Sequence, residues 1–187
     1  FAFLAASVTV GIIAGAIFAA RSALIEKSRT DALTGVYNRA GGTNAINSIL
    51  RNKLYRSGVF VMMDLDNFKS VNDILGHQMG DEVLVTTAAI LKNSVRDTDI
   101  VARLGGDEFM LYFPFERSSD FLKKKLEDIR LKMNRDIKSS DGCVSISSSI
   151  GATFYNGDKD FETLYKEADV ALYKSKENGK NQVTISK

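Results

Sequence analysis

Three acids stand where apolar runs begin or end. Asp64 follows "VFVMM", and Asp107 with Glu108 stands between Gly105-Gly106 and "FMLYF". Runs of this length, rich in Val and Phe, read as buried strands, so each acid falls at a strand end. Side chains alternate along a strand, which puts Asp64 and Asp66 on one face and Leu65 on the other. Carboxylates from neighbouring strands can then meet. Like charges brought together raise one another's pKa, whereas a hard divalent cation turns the same cluster into a binding site. Mg²⁺ takes one or two carboxylates plus phosphate oxygens in preference to a full protein cage, which points to a nucleotide. Asp66 also has a plainer reading, as the cap of a helix starting in "NFKSVND". The start of that helix, with Asn67, Phe68 and Lys69, offers free N–H groups and a cation to a phosphate, although Lys69 alone reads equally as a solvated surface lysine.

The elements that must hold these residues follow from periodicity. After a turn region, a helix is predicted from about Thr43 to Tyr55, then a strand over 59–66. Phe68, Val71, Ile74 and Leu75, then Val83, Leu84, Ile90 and Leu91, suit two helices separated by a loop "GHQMGD". Apolar runs over 99–103 and 107–113 flank Gly105-Gly106, a hairpin signal because tight primed turns need positive φ. Phe121 to Ile137 reads as an amphipathic helix, 144–155 as a strand, Phe161 to Glu177 as a helix and "NQVTIS" as an edge strand. Strand and helix do not alternate strictly. The expected class is therefore α/β of the α+β kind, a sandwich with a mainly antiparallel central sheet and packed helices.

Four blocks of this sequence resemble those of GGDEF-domain diguanylate cyclases. Gly105 to Phe109 is the motif that names the family, "DALTGVYNR" (31–39) resembles its opening segment, "DLDNFKSVNDILGHQMGD" (64–81) its metal and guanine segment, and "EADVALYKSKENGKNQV" (167–183) its closing segment. Four ordered blocks at domain-length spacing are far more specific than five residues alone. The resemblance implies a fold like that of nucleotidyl cyclases and polymerase palms, and the condensation of two GTP into cyclic di-GMP with release of two pyrophosphates. It implies Mg²⁺ or Mn²⁺ held by Asp64, the Leu65 carbonyl, Asp107 and Glu108, with Asp107 accepting the ribose 3′-OH proton. Guanine recognition falls on Asn72 and Asp81, whose plainer readings are a helix-surface residue and a cap. Where family members relax their purine choice, serine tends to replace Asp81, so GTP is expected over ATP. Phosphate contacts fall on Phe68, Lys69, Lys176 and Lys180. Lys180 stands where the family has arginine, keeping the charge and losing the bidentate fork. His77 matches a family histidine and reads as hydrogen-bonded and structural. Arg96-Asp97-Thr98-Asp99 fits RxxD, the family's product-inhibition site, at the family's offset from Gly105; its other reading is a surface ion pair. Two protomers must face each other, so a homodimer is implied. The competing class is a non-catalytic receptor for GTP or cyclic di-GMP. Its usual sign is loss of a metal acid or a motif glycine, and neither is lost here.

The remaining sequence sets the context. With 187 residues, 44% hydrophobic and 26% charged, the chain has room for one domain with a real core. A net charge of +2 gives no argument for nucleic acid as a partner. A lone cysteine, Cys143, and a lone histidine, His77, exclude an internal disulfide and a Cys/His zinc cluster. Residues 1–20 carry no charge and are long enough to cross a bilayer as one helix, with Ser7, Gly11, Gly15 and Ala19 lining one face. A secretory signal peptide is the rival reading, weakened by the absence of a basic leading region. Residues 21–29, "RSALIEKSR", are polar and helix-compatible, without Gly or Pro, and are expected as a helical connector, while Arg21, Lys27 and Arg29 by the positive-inside tendency put the domain of residues 30–187 in the cytoplasm, at a bacterial inner membrane.

Overall fold

In the computed structural model, which describes residues 29–52, 57–115 and 118–186, the sheet is built around β2 (Gly58–Asp66). Its sequence GVFVMMDLD carries no charge before Asp64, as suits a strand covered on both faces. β2 lies antiparallel between β4 (Glu108–Pro114) and β6 (Gly142–Tyr155). β3 (Ile100–Gly105) pairs antiparallel with β4, and the short β1 (Tyr37–Asn38) runs parallel to β3 at one edge. At the other edge β5 (Arg135–Ser139) pairs antiparallel, and β7 (Val183–Ile185) parallel, with separate stretches of β6. The result is a mixed 7-stranded sheet, mainly antiparallel as expected, in the order β1-β3-β4-β2-β6-β5 with β7 beside β6.

Strand alternation divides the core. Val59, Val61, Met63 and Leu65 of β2 pack with Phe109, Leu111 and Phe113 of β4 beneath α2 (Phe68–Leu75), α3 (His77–Ser94) and α4 (Ser119–Met133). Phe60 and Met62 pack with Met110 and Tyr112 on the opposite face, beneath α1 (Arg39–Arg51) and α5 (Phe161–Glu177). α5 presents Leu164, Ala168 and Leu172 at four-residue steps, one stripe of a helix. Its close approach depends on Gly151 of β6, where a Cβ would strike the backbone of Leu172 and Ala168.

Several predicted elements differ. α1 starts at Arg39 rather than near Thr43, because the Asn38 side chain accepts the Gly41 N–H and caps it, and the helix ends at Arg51. "GHQMGD" is helix instead of loop: Gly76, at φ 87°, ends α2 and begins α3 as a single-residue corner. The helix predicted to Ile137 stops at Met133, and β5 follows it as half of a hairpin with β6. The expected membrane span of residues 1–20, and the expected connector of residues 21–29 except for Arg29, lie outside the described residues. Among the described residues no helix is long and apolar enough to cross a membrane.

Candidate active site

The site forms where two apolar rows run out. Along the α1/α5 face of β2 the row Phe60, Met62 continues into Asp64 and Asp66, and the facing row of β4, Tyr112 and Met110, continues into Glu108. Asp64 and Glu108 are direct cross-strand partners. The stripe Leu164-Ala168-Leu172 of α5 reaches its next four-residue step at Lys176, whose Nζ lies 2.8 Å from Asp64 Oδ2. Helix and sheet thus deliver a cation and a carboxylate from the same row geometry that packs the core.

The turn between β3 and β4 supplies the third acid. Gly105 (φ 140°) and Gly106 (φ 54°) adopt backbone conformations closed to most side chains, and the register of the pair shifts between Arg103 and Gly105. The turn is pinned from several sides. Leu65 N–H donates to the Asp107 carbonyl at 3.3 Å. Arg103 donates through Nε to the Gly106 carbonyl at 2.9 Å and through its terminal nitrogen to Asp31 at 3.1 Å. Asp31 accepts in turn from the backbone and hydroxyl of Thr34, which joins the "DALTG" segment to the acidic turn. Glu108 leans towards Arg39 (4.0 Å), and Arg39 Nε donates to the Leu104 carbonyl at 3.2 Å.

Burial pushes the Asp64 carboxyl up; the Lys176 hydrogen bond opposes this, and the neighbouring charges of Asp107 and Asp66 add to it. Asp107 is likewise raised by burial, against its own backbone hydrogen bond and the Lys176 charge, with Glu108 adding repulsion. Half-buried carboxylates held beside one another at a cost to their ionised forms are a donor set suited to a hard divalent cation. Among the described residues no three Asp, Glu, His or Cys side chains close around a point by themselves. Phosphate oxygens would complete the coordination of such an ion, as Mg²⁺ prefers.

Beside these acids opens a cleft of about 390 Å³ whose walls include Asp64, Asn67, Lys69, Asp107, Lys176 and Lys180. Leu65 and Phe68 contribute to the same walls. Three lysines facing a pair of carboxylates fit a polyanion that arrives with a cation. A profile described as the diguanylate cyclase GGDEF domain matches residues 28–182. The chain belongs to the GGDEF family of diguanylate cyclases.

Among its relatives, YtrP of Bacillus subtilis, an uncharacterized protein, is 37% identical over 157 residues, covering 84% of this chain and 26% of YtrP. Diguanylate cyclase DosC of Escherichia coli K12 is 38% identical over 129 residues, covering 68% of this chain and 28% of DosC. The chain thus spans little more than a quarter of either relative. The coiled coil and GGDEF domain of DgcB from Caulobacter crescentus, solved in complex with c-di-GMP, superposes with a TM-score of 0.88 at 26% identity, over 99% of this chain and 100% of that one.

The other predicted positions distribute around the GGDEF turn and its cleft. Asn72 sits against Gly80 of α3, where a Cβ would strike its Oδ1, and Asp81 follows Gly80 on the same helix, exposed; neither residue walls the cleft. Asp66 is not the helix cap: α2 is preceded by Asn67 in the left-handed region (φ 64°), without a side-chain cap bond. Asp66, 3% exposed, instead accepts from Ser147 Oγ at 2.7 Å, Ser149 Oγ at 2.8 Å and Asn181 N–H at 3.0 Å. His77 is exposed at the first residue of α3. Arg96 is exposed too, and its backbone N–H donates to Asp99, whose carboxylate also takes Lys125 Nζ at 3.0 Å. Arg96 and Asp99 line a separate cavity of about 300 Å³ with Tyr37 and Lys92. Arg39, Arg103 and Asn181 were not singled out from the sequence. Arg39 lies inside the recognised opening block and Asn181 inside the closing one; nothing local marks Arg103.

Proposed function

We propose that this domain condenses two GTP into cyclic di-GMP, as a divalent-metal-dependent enzyme working as a homodimer. The observation that carries the reading is the meeting of Asp64 and Asp107, both held above the ordinary carboxylate range, with Lys176 at the mouth of a lysine-lined cleft. Asp64, the Leu65 carbonyl, Asp107 and Glu108 are the groups that would hold Mg²⁺ or Mn²⁺. When bound, such an ion supplies charge to the triphosphate and to the attacking hydroxyl.

The protein's own part is positioning and proton transfer. Lys69, Lys176 and Lys180 receive the phosphates, and their charge stabilises the pyrophosphate as the bond to the α-phosphorus breaks. Asp107 takes the proton of the ribose 3′-OH as its oxygen bonds to the α-phosphorus of the GTP on the facing protomer. A carboxylate raised by burial is a stronger base than a solvated one. Asn72 and Asp81 meet the guanine edge, and an unpaired polar group there rejects adenine. One site presents one hydroxyl and one α-phosphate, so closing the ring requires a second site opposite. Arg96 and Asp99 form the product-inhibition site, and residues 1–20 anchor the chain in a bacterial inner membrane with the domain in the cytoplasm; both readings rest on sequence.

Incubation of the full chain with GTP and Mg²⁺, followed by chromatography for cyclic di-GMP, tests the proposal. Bound GTP with no product would replace the enzyme by a receptor.

A further inference from the structure

The turn after α5 adopts an unusual backbone. Gly179, Lys180 and Asn181 have φ of 105°, 63° and 47°, two of them non-glycine residues in the left-handed region that L side chains rarely occupy. Such a conformation persists only where the surroundings fix it. Here they do so from two elements. Asp66 of β2, buried and holding two serine hydroxyls, accepts the Asn181 N–H at 3.0 Å. From the other side Arg130 of α4 donates to Asn181 Oδ1 at 2.7 Å, its guanidinium steadied by Glu127 at 2.7 Å and only 17% exposed. The Lys180 N–H closes onto the Ser175 carbonyl at 3.0 Å. The side chain that this turn aims is Lys180, whose Nζ reaches Asn67 Oδ1 at 3.3 Å across the cleft.

We infer that Arg130 is a positioning residue for the phosphate site: with Asp66 it clamps Asn181 in the left-handed conformation and so holds Lys180 over the cleft. Arg130 is not among the residues that wall the cleft and acts only through Asn181. The arrangement matters more for lysine than for arginine at position 180, because a single ammonium on a flexible stem has no planar fork to orient it. The inference rests on the reading of the cleft as a GTP site.

The test uses the full chain with Mg²⁺ and a GTP analogue whose α,β-bridge is methylene, so that it binds without reacting. Arg130→Met should weaken analogue binding and raise the KM for GTP about five- to tenfold, the loss expected from one hydrogen bond, with kcat within about twofold. Affinity for GMP, which lacks the outer phosphates, should stay unchanged. Arg130→Lys keeps a donor and should restore binding to within about twofold. If Arg130→Met does not fold, Asn181→Gly removes the same side-chain bond while tolerating positive φ, and should show the same KM shift. An unchanged KM, or GMP affinity falling in step with the analogue, overturns the inference. Wild-type protein that binds the analogue but makes no cyclic di-GMP defeats the cyclase reading while the binding comparison still decides on Arg130; wild-type protein that does not bind it defeats both.

Discussion

Lys176 Nζ sits 2.8 Å from Asp64 Oδ2, with the lysine 38% and the aspartate 13% exposed. The pair joins the end of α5 to the end of β2, and it occupies a carboxylate proposed for the metal. In the proposed complex Asp64 would be one of the groups that hold the cation, and Lys176, released from it, would face the phosphates. Lys176→Met should therefore raise the KM for GTP about ten- to hundredfold, a charge-assisted contact being worth roughly 1.5–3 kcal/mol. Steady-state kinetics at saturating Mg²⁺ would read this, and an unchanged KM would remove Lys176 from the phosphate site.

Asp107 gives a prediction with a pH sign. Its folded pKa is raised by burial, so its ionised form costs stability at any pH above that raised value. The cost fades as pH falls through the folded pKa and is gone below the unfolded value. Asp107→Asn should thus melt slightly above wild type at neutral pH without metal, and the difference should shrink steadily towards pH 4. The same variant should lose activity by about a hundredfold or more, as expected for a missing base. Adding Mg²⁺ with the methylene analogue should narrow or reverse the melting difference, because the ligands bind the wild-type fold better. Melting curves from pH 4 to 8 check this, and a gap that widens on acidification would contradict it.

Much of this arrangement was legible in the chain. β2 and β4 are legible as apolar runs and β6 as a strand over 144–155, α5 is readable from Phe161 to Glu177, and the acids are expected at strand ends because the apolar runs stop there. Less legible were features set by partners far away in sequence. Asp66 resembled a helix cap by its neighbours, yet its partners Ser147 and Ser149 are 81 and 83 residues on. β5, with sequence RDIKS, has too little apolar character to show as a strand until β6 folds beside it. "GHQMGD" reads as a loop because of its two glycines, but only Gly76 is there for its backbone conformation; Gly80 is there for the space it leaves beside Asn72.

Arg103 joins segments 72 residues apart through Asp31, and both side chains are largely covered, at 13% and 23% exposed. Asp31 feels desolvation first, but the Thr34 bonds and Arg103 outweigh it and hold its carboxyl below the usual range. A lowered pKa contributes stability above the unfolded value and loses it as pH falls through the folded one. Arg103→Met should therefore cost about 1–3 kcal/mol at neutral pH, by leaving Asp31 and the Gly106 carbonyl short of a donor. The penalty should diminish below about pH 4, where the unfolded carboxyl protonates. Urea denaturation at pH 7 and pH 3.5 distinguishes this from simple loss of packing, which would be the same at both.

Gly80 offers a test of the proposed guanine contacts that leaves every polar group in place. In a helix interior Gly→Ala ordinarily stabilises by about 1 kcal/mol, since alanine loses less backbone entropy. Here the new methyl would meet Asn72 Oδ1, and the side chain rather than the helix is what can give way. The expected result is a protein of near wild-type stability whose Asn72 amide is displaced from its place against Gly80. Loss of one polar contact to the base should reduce discrimination of GTP over ATP about tenfold, with the response to inorganic pyrophosphate as inhibitor unchanged. Competition between the two nucleotides measures the discrimination directly. If Gly80→Ala keeps full preference for GTP while circular dichroism shows an intact fold, Asn72 does not read the base, and the choice of purine must lie with Asp81 or with a residue outside the α2–α3 corner.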